Sequence, residues 1–340
     1  MTQDLGIRVR QTSHAPLAVC VAVVAALLTG LTGCGSAQQT ESTTTSTVQV
    51  QDTTSETEDA SSEDSSSSDD ASADADGGTT ESAELVSQTT SSGISYTGNA
   101  DIANTEALQD LEELLAECEK NDITCSIALY DLDGGSASIT YQNNEKVYSA
   151  SAIKGPYCTF VYQDLIETGQ ASEDTLYPLI QNVINNSDND DYESLRKKTY
   201  GMGWTDWLSR AGIDLTDRED DFEDHYYAQM SAEEFALAWE QGYAYLCSGT
   251  EESQRLADLF TETIQSPLHD QLGDQYTVWS KAGWYYDYEG NASPAMNDAG
   301  VVFSDDGTYV VAVLTSSAGD EEFVCQIVDA LDRCHSALEG

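Results

Sequence analysis

Tyr148-Ser149-Ala150-Ser151-Ala152-Ile153-Lys154-Gly155-Pro156-Tyr157-Cys158-Thr159-Phe160-Val161 is the stretch on which the reading of this chain turns. Ser151 and Lys154 stand three residues apart, so on a helix that opens at the serine they share a face. Tyr157, Phe160, Val161 and Leu165 follow at helical spacing and give that helix a buried side. A serine hydroxyl is a weak nucleophile at its free pKa and needs an adjacent base. Burial disfavours an ammonium ion, so a lysine amine on such a face can take the serine proton near neutral pH. The spacing alone is not specific, because Ser194-Leu195-Arg196-Lys197 repeats it inside a polar stretch. Only the Ser151 copy has an apolar face and a defined start.

Two later motifs add to it. Ser187-Asp188-Asn189 follows an apolar helix predicted over residues 177–184, and Ser280-Lys281-Ala282-Gly283 lies inside a strand-like run over residues 276–286. Each also has a plainer reading, the first as a helix cap and the second as a gatekeeper lysine on an edge strand. Taken in order, the three motifs resemble the class A β-lactamase and penicillin-binding serine hydrolase superfamily, marked by S-x-x-K, S-D-N and K-T-G. The resemblance runs from about Asn104 to the end of the sequence. It implies that Ser151 is the acylated nucleophile, Lys154 its proton acceptor and Ser187 the relay to the leaving nitrogen. It further implies that Asn189 holds a substrate amide, that Lys281 faces the substrate carboxylate, and that Gly283 and Trp284 line the substrate. The backbone N–H groups of Ser151 and Trp284 are then the oxyanion donors. Such chemistry needs neither metal nor organic cofactor. A β-lactam is the first-choice substrate, a D,D-peptidase acting on peptidoglycan stem peptides is the alternative, and a non-catalytic binder of cell-wall peptides or a partner protein is a third reading.

Four departures from the family pattern bear on activity. Ala282 replaces the usual Thr or Ser, removing a hydrogen bond to a charged group worth about 1.5–3 kcal/mol. The 36-residue step from Ser151 to Ser187 is shorter than usual. No E-x-x-L-N stretch supplies a deacylating base; Glu219 and Glu223 are the substitutes on offer, in an acidic run that also reads as a solvated loop. Trp284 places a large ring beside the strand motif, where a cleft floor is expected.

Around these motifs the periodicity predicts an α+β fold, β-lactamase-like, with an antiparallel sheet flanked by helices and an inserted all-helical subdomain. Leu108, Leu111, Leu114, Leu115 and Cys118 mark a first amphipathic helix, and Asp133-Gly134-Gly135 a hairpin between strands at 125–132 and 138–141. Turn chemistry rather than calcium accounts for Asp131 and Asp133. Helices are predicted over 151–169, 204–211, 231–247 and 252–264, strands over 300–304 and 309–315 joined at Asp305-Asp306-Gly307, and a last helix over 321–338.

The first third of the chain reads differently. Arg8 and Arg10 precede an apolar run, and Leu31-Thr32-Gly33-Cys34 resembles a lipoprotein lipobox, so residues 1–33 are expected to be a signal peptide and Cys34 the lipidated residue. Residues 34–98 are Ser/Thr/Asp/Glu-rich and read as a disordered acidic tether of about 40–48 Å mean span. Residues 99–340 form the catalytic domain. The expected location is the outer face of a bacterial cytoplasmic membrane, with the membrane engaged through the lipid and the protein a monomer.

The net charge is -48, from 61 acidic residues against 13 basic ones. Nucleic acid is therefore excluded as a partner, since phosphate binding needs a basic face. Four histidines and no C-x-x-C pair argue against a structural zinc site. Without Cys20 and Cys34, six cysteines remain, an even number that points to disulfides in an exported domain. The family resemblance implies bridges from Cys118 or Cys125 to the last helix, leaving Cys158 with Cys247. His225, His269 and His335 lack a serine in a nucleophile elbow, so a histidine-based hydrolase is not expected.

Overall fold

Two short strands, β1 (Val86–Thr89) and β2 (Ser95–Gly98), open the part of the chain that the computed structural model describes, residues 84–286 and 293–340. The signal segment, Cys34 and the tether up to residue 83 lie outside the described residues. The tether was expected to run to residue 98, yet β1 and β2 belong to the main sheet. Ile94 and Tyr96, the large apolar residues that a tether would have no use for, are buried in the core.

Helix α1 (Glu106–Lys120) follows, then β3 (Cys125–Asp131), β4 (Ser138–Tyr141) and the two-residue β5 (Val147–Tyr148). Thr105 caps α1 by accepting from Leu108 N, and the β3–β4 turn places Asp133 and Gly134 at positive φ, as the Asp-Gly-Gly sequence requires. The Ser151 stretch begins as a 3-10 turn over Ala150–Ile153, continues as α2 (Lys154–Phe160) and ends in a π-helical stretch, Val161–Ile166, in place of the single α-helix expected over 151–169.

The helical half continues with α3 (Glu173–Asn185), α4 (Asn189–Lys198), α5 (Trp204–Arg210) and α6 (Glu219–Glu223). Strand β6 (Gln229–Met230) then precedes α7 (Ala232–Leu246), α8 (Glu251–Phe260) and α9 (Pro267–Leu272). Of these, α4, α6 and α9 had no apolar period strong enough to predict them. The chain closes with β7 (Thr277–Ser280), β8 (Gly283–Tyr285), β9 (Ala295–Ser304), β10 (Gly307–Thr315) and α10 (Glu321–Glu339). Strand β9 starts five residues before the predicted position.

The antiparallel sheet runs in the order β1-β2-β4-β3-β10-β9-β7, with β8 also on β9. Chain ends thus build one sheet around a helical insertion, the α+β arrangement predicted. Both faces of its centre are covered, so β3, β9 and β10 read as continuous apolar runs that divide by parity. Ala128, Val301, Val310, Ala312 and Leu314 face the helical insertion, packing with Tyr157, Phe160, Trp204, Phe235 and Trp239. Ile127, Leu129, Val302, Val311 and Val313 face α1 and α10, packing with Leu108, Leu111, Ile327 and Leu331.

The expected disulfides are not formed: Cys118, Cys125, Cys158, Cys247, Cys325 and Cys334 are all free thiols. Cys118 and Cys125 hydrogen-bond each other rather than reaching α10, and Cys158 is buried while Cys247 is exposed.

Candidate active site

The three sequence motifs meet at one edge of the sheet. Ser151 is half-buried in the 3-10 turn, directly after Ala150, whose φ of +46° is a left-handed conformation that alanine rarely adopts. Asn297 on β9 holds the approach to that turn. Its Nδ2 donates to Tyr148 O (2.8 Å) and Ser149 O (3.1 Å), while its Oδ1 accepts from Thr315 N (3.0 Å). A single buried amide therefore ties the Ser151 segment to β9 and β10. Gly283 faces the same turn. A Cβ on it would lie 2.2 Å from Ala152 N and 2.5 Å from Ser151 N, so only glycine lets the strand come this close.

Strands β7 and β8 keep one register on β9, from Thr277 opposite Phe303 to Tyr285 opposite Ala295, and Lys281 N bridges the gap by donating to Ala299 O (3.0 Å). The lysine is fully buried. Its Nζ donates to Ser187 Oγ (3.2 Å) and Ala282 O (2.6 Å). Glycine at 155 opens the space for it, since a Cβ there would lie 2.9 Å from Lys281 Cβ.

Lys154 reaches the second motif from the other side. Its Nζ donates to Ser187 O (2.7 Å), Asp188 O (3.3 Å) and Asn189 Oδ1 (2.7 Å). The cap reading of Ser187-Asp188-Asn189 holds as well, because Asp188 accepts from Asp191 N (2.8 Å) and starts α4. Capping by the middle residue sets Ser187 at a φ of +54° and turns its hydroxyl toward Lys281. One tripeptide thus performs both tasks.

Two buried amines this close cannot both stay charged at low cost. Burial, then the positive charge of Lys281, lowers Lys154 to about 7; burial lowers Lys281 to about 8, opposed by the carboxylate of Asp298. Near neutrality Lys154 is poised to accept a proton while Lys281 keeps most of its charge. The competing Ser194–Lys197 pair has no such environment. Lys197 is 64% exposed in its side chain and pairs with Glu193 on the helix surface.

The loop between α5 and β6 does not bring a carboxylate to this cluster in the manner expected of Glu219 or Glu223. Glu219 is exposed, and Glu223 Oε1 accepts from Thr205 Oγ1 (3.2 Å). Buried Arg196 anchors the loop by donating to Phe222 O (2.6 Å) and Glu223 O (3.0 Å). What the loop delivers is Tyr227, whose hydroxyl donates to Asn189 Oδ1 (2.9 Å) and whose ring lies 5.8 Å from Lys154 Nζ. Tyr148 packs edge-on against both Tyr227 (6.4 Å) and Tyr285 (5.8 Å). These three tyrosines make the aromatic wall of the cleft. Trp284, expected to be its floor, packs partly against the layer under α1 and α10 because strand parity turns it to that side, although its ring stays 5.8 Å from Lys281 Nζ. Tyr148, Tyr227 and Asn297 carried no motif that sequence reading could seize on; a Tyr-Tyr pair in an acidic loop was the only signal.

The sequence profile of the Beta-lactamase enzyme family matches residues 168–331, a span that holds Ser187, Asn189 and Lys281 and begins after Ser151. A β-lactamase from Chitinophaga pinensis superposes with a TM-score of 0.54 at 18% identity, over 68% of this chain and 99% of the other. PBP-A gives 0.52 at 17% identity, over 66% and 95%. A PBP-A variant, solved as an acyl-enzyme complex with penicillin G, gives 0.52 at 16% identity, over 67% and 97%. No curated protein matches the sequence. The described domain thus has the fold of the class A β-lactamases and of PBP-A, and the family profile matches it over residues 168–331.

Proposed function

We propose that this protein is a penicillin-recognising enzyme that is acylated at Ser151 and releases the acyl group slowly. The observation that carries this reading is the meeting of Lys154, Ser187 and Lys281 around one loop, with the first amine lowered to about 7. In the proposed reaction Ser151 Oγ attacks the carbonyl carbon and its proton passes to Lys154 Nζ. The oxyanion is held by the backbone N–H groups of Ser151 and Trp284. As the carbon–nitrogen bond breaks, Ser187 Oγ protonates the leaving nitrogen and is reprotonated from the lysines. Lys281 offers charge to a substrate carboxylate without help from a hydroxyl at Ala282.

Slow release follows from the place of Glu223, whose carboxylate is engaged by Thr205, and from Tyr227 standing where the loop meets Asn189. A phenol whose pKa burial pushes well above its usual value is no base for water at neutral pH. The same feature favours, as a second reading, a D,D-peptidase working on peptidoglycan stem peptides. Residues 1–34 support export and lipid attachment at Cys34, which would place the enzyme on the outer face of the membrane; Cys34→Ser is then expected to release the protein from washed membranes into the soluble fraction.

Intact mass after incubation with penicillin G tests the reading. A one-to-one adduct that persists for minutes and is absent in Ser151→Ala supports it. Rapid turnover of a chromogenic cephalosporin without an adduct points to a β-lactamase with a base elsewhere. A folded protein with neither adduct nor turnover sinks the enzymatic reading in favour of a binding protein.

A further inference from the structure

Strand β3 terminates in Asp131. There it meets the last two turns of α10. His335 and Glu339 lie four apart on one helix face, and the ligand atoms of Asp131, His335 and Glu339 all fall within 4.8 Å of one another. His335 is fully buried, with Nε2 2.6 Å from Asp131 Oδ1. Each carboxylate has one oxygen fixed from outside the cluster: Asp131 Oδ2 accepts from Ala137 N (2.8 Å) and Glu339 Oε2 from Asn99 Nδ2 (3.2 Å). The remaining oxygens are turned to the group. His335 Nδ1 and Glu339 Oε1 are buried with no hydrogen-bond partner. Among the described residues no lysine or arginine pairs with either carboxylate.

We propose that Asp131, His335 and Glu339 form a zinc-binding site that fastens the C-terminal helix to the end of β3. One imidazole and two carboxylates make a donor set suited to zinc, with water in a fourth, tetrahedral position. Calcium, by contrast, takes six to eight oxygens. Bonds of about 2.1 Å keep tetrahedral ligand atoms roughly 3.4 Å apart, so Asp131 and His335 need part by less than about 1 Å. Space exists for this on the hairpin side, where Gly307 carries no side chain and even a Cβ would stay 4.0 Å from His335 Nε2. Tyr309 braces the imidazole face at 4.4 Å and is itself held by Asp332. The partly exposed Glu339 gives an ion its way in, and the net charge of -48 concentrates cations near it.

The test is calorimetric titration of chelator-treated, tag-free full-length protein with zinc chloride, beside cobalt titration followed by visible absorption. We expect one saturable site, a tetrahedral-type cobalt spectrum that zinc abolishes, and a rise in thermal midpoint with zinc. Glu339→Gln, at a position exposed enough to fold, should weaken zinc at least about tenfold, and His335→Gln should remove the cobalt spectrum. A folded protein that shows no such site overturns the proposal. So does zinc binding that Glu339→Gln leaves unchanged, or that calcium matches ion for ion, since that is diffuse attraction to acidic surface.

Discussion

At the residue scale the proposed chemistry rests on two amines separated by one serine. Lys154 must be neutral to accept a proton, so the acylation rate is expected to rise as pH passes about 7, and to fall above about 8 as Lys281 loses the charge that attracts a carboxylate. Because the charge on Lys281 helps to depress Lys154, Lys281→Met should move the rising limb to higher pH and abolish the falling one. Adduct formation measured across pH 5.5 to 9.5 in both proteins checks the sign, and an unshifted rising limb would remove Lys154 from the role of base. The decoy Ser194–Lys197 marks the limit of reading residues singly. Both pairs have the same spacing, and only burial separates an amine near neutrality from an ordinary surface lysine.

At the element scale the Ser151 turn is held by strands that lie far from it in the sequence. Asn297 bonds two carbonyls and one N–H, of which Ser149 O also accepts from Ala152 N (3.2 Å). Asn297→Leu keeps the volume but takes this partner from Tyr148 O and Thr315 N, each loss costing about 1–3 kcal/mol. Acylation should fall more than a hundredfold, with a thermal midpoint lower by several degrees. Gly283→Ala, which drives a methyl into the backbone of Ser151, should abolish the adduct. Calorimetry beside mass spectrometry separates loss of positioning from loss of fold. Neither dependence was legible beforehand. An asparagine in an apolar strand and a glycine after a lysine acquire meaning only when β9 and β8 are laid against a turn nearly 150 residues away.

At the scale of the whole molecule, the sheet is completed by a segment whose composition resembles a tether. Deleting residues 84–98 would expose β4 and strip Ile94 and Tyr96 from the layer beneath α1 and α10. A loss of about 3–5 kcal/mol is expected for the large side chains alone, seen as a clear drop in urea midpoint; an unchanged midpoint would show the edge strands to be dispensable. Charge acts over the same range. Residues 101–340 hold 47 acidic and 11 basic residues, so raising ionic strength from 10 to 300 mM should raise the thermal midpoint by screening self-repulsion.

Local chemistry in the sequence was enough for the fold class, the three motifs in their order, the amphipathic helices and both hairpins, because period, turn residues and short spacing are properties of neighbouring residues. Whether Ser187 is a cap or part of a site, which side Trp284 takes, which loop residue reaches Asn189, and whether six cysteines pair were decided by strand register and by packing across the sheet. So was the meeting of Asp131 with His335 and Glu339, a group that counting histidines had argued against. These outcomes depend on contacts between segments far apart in the chain, where burial sets the charge of an amine and a missing Cβ sets how closely two backbones approach.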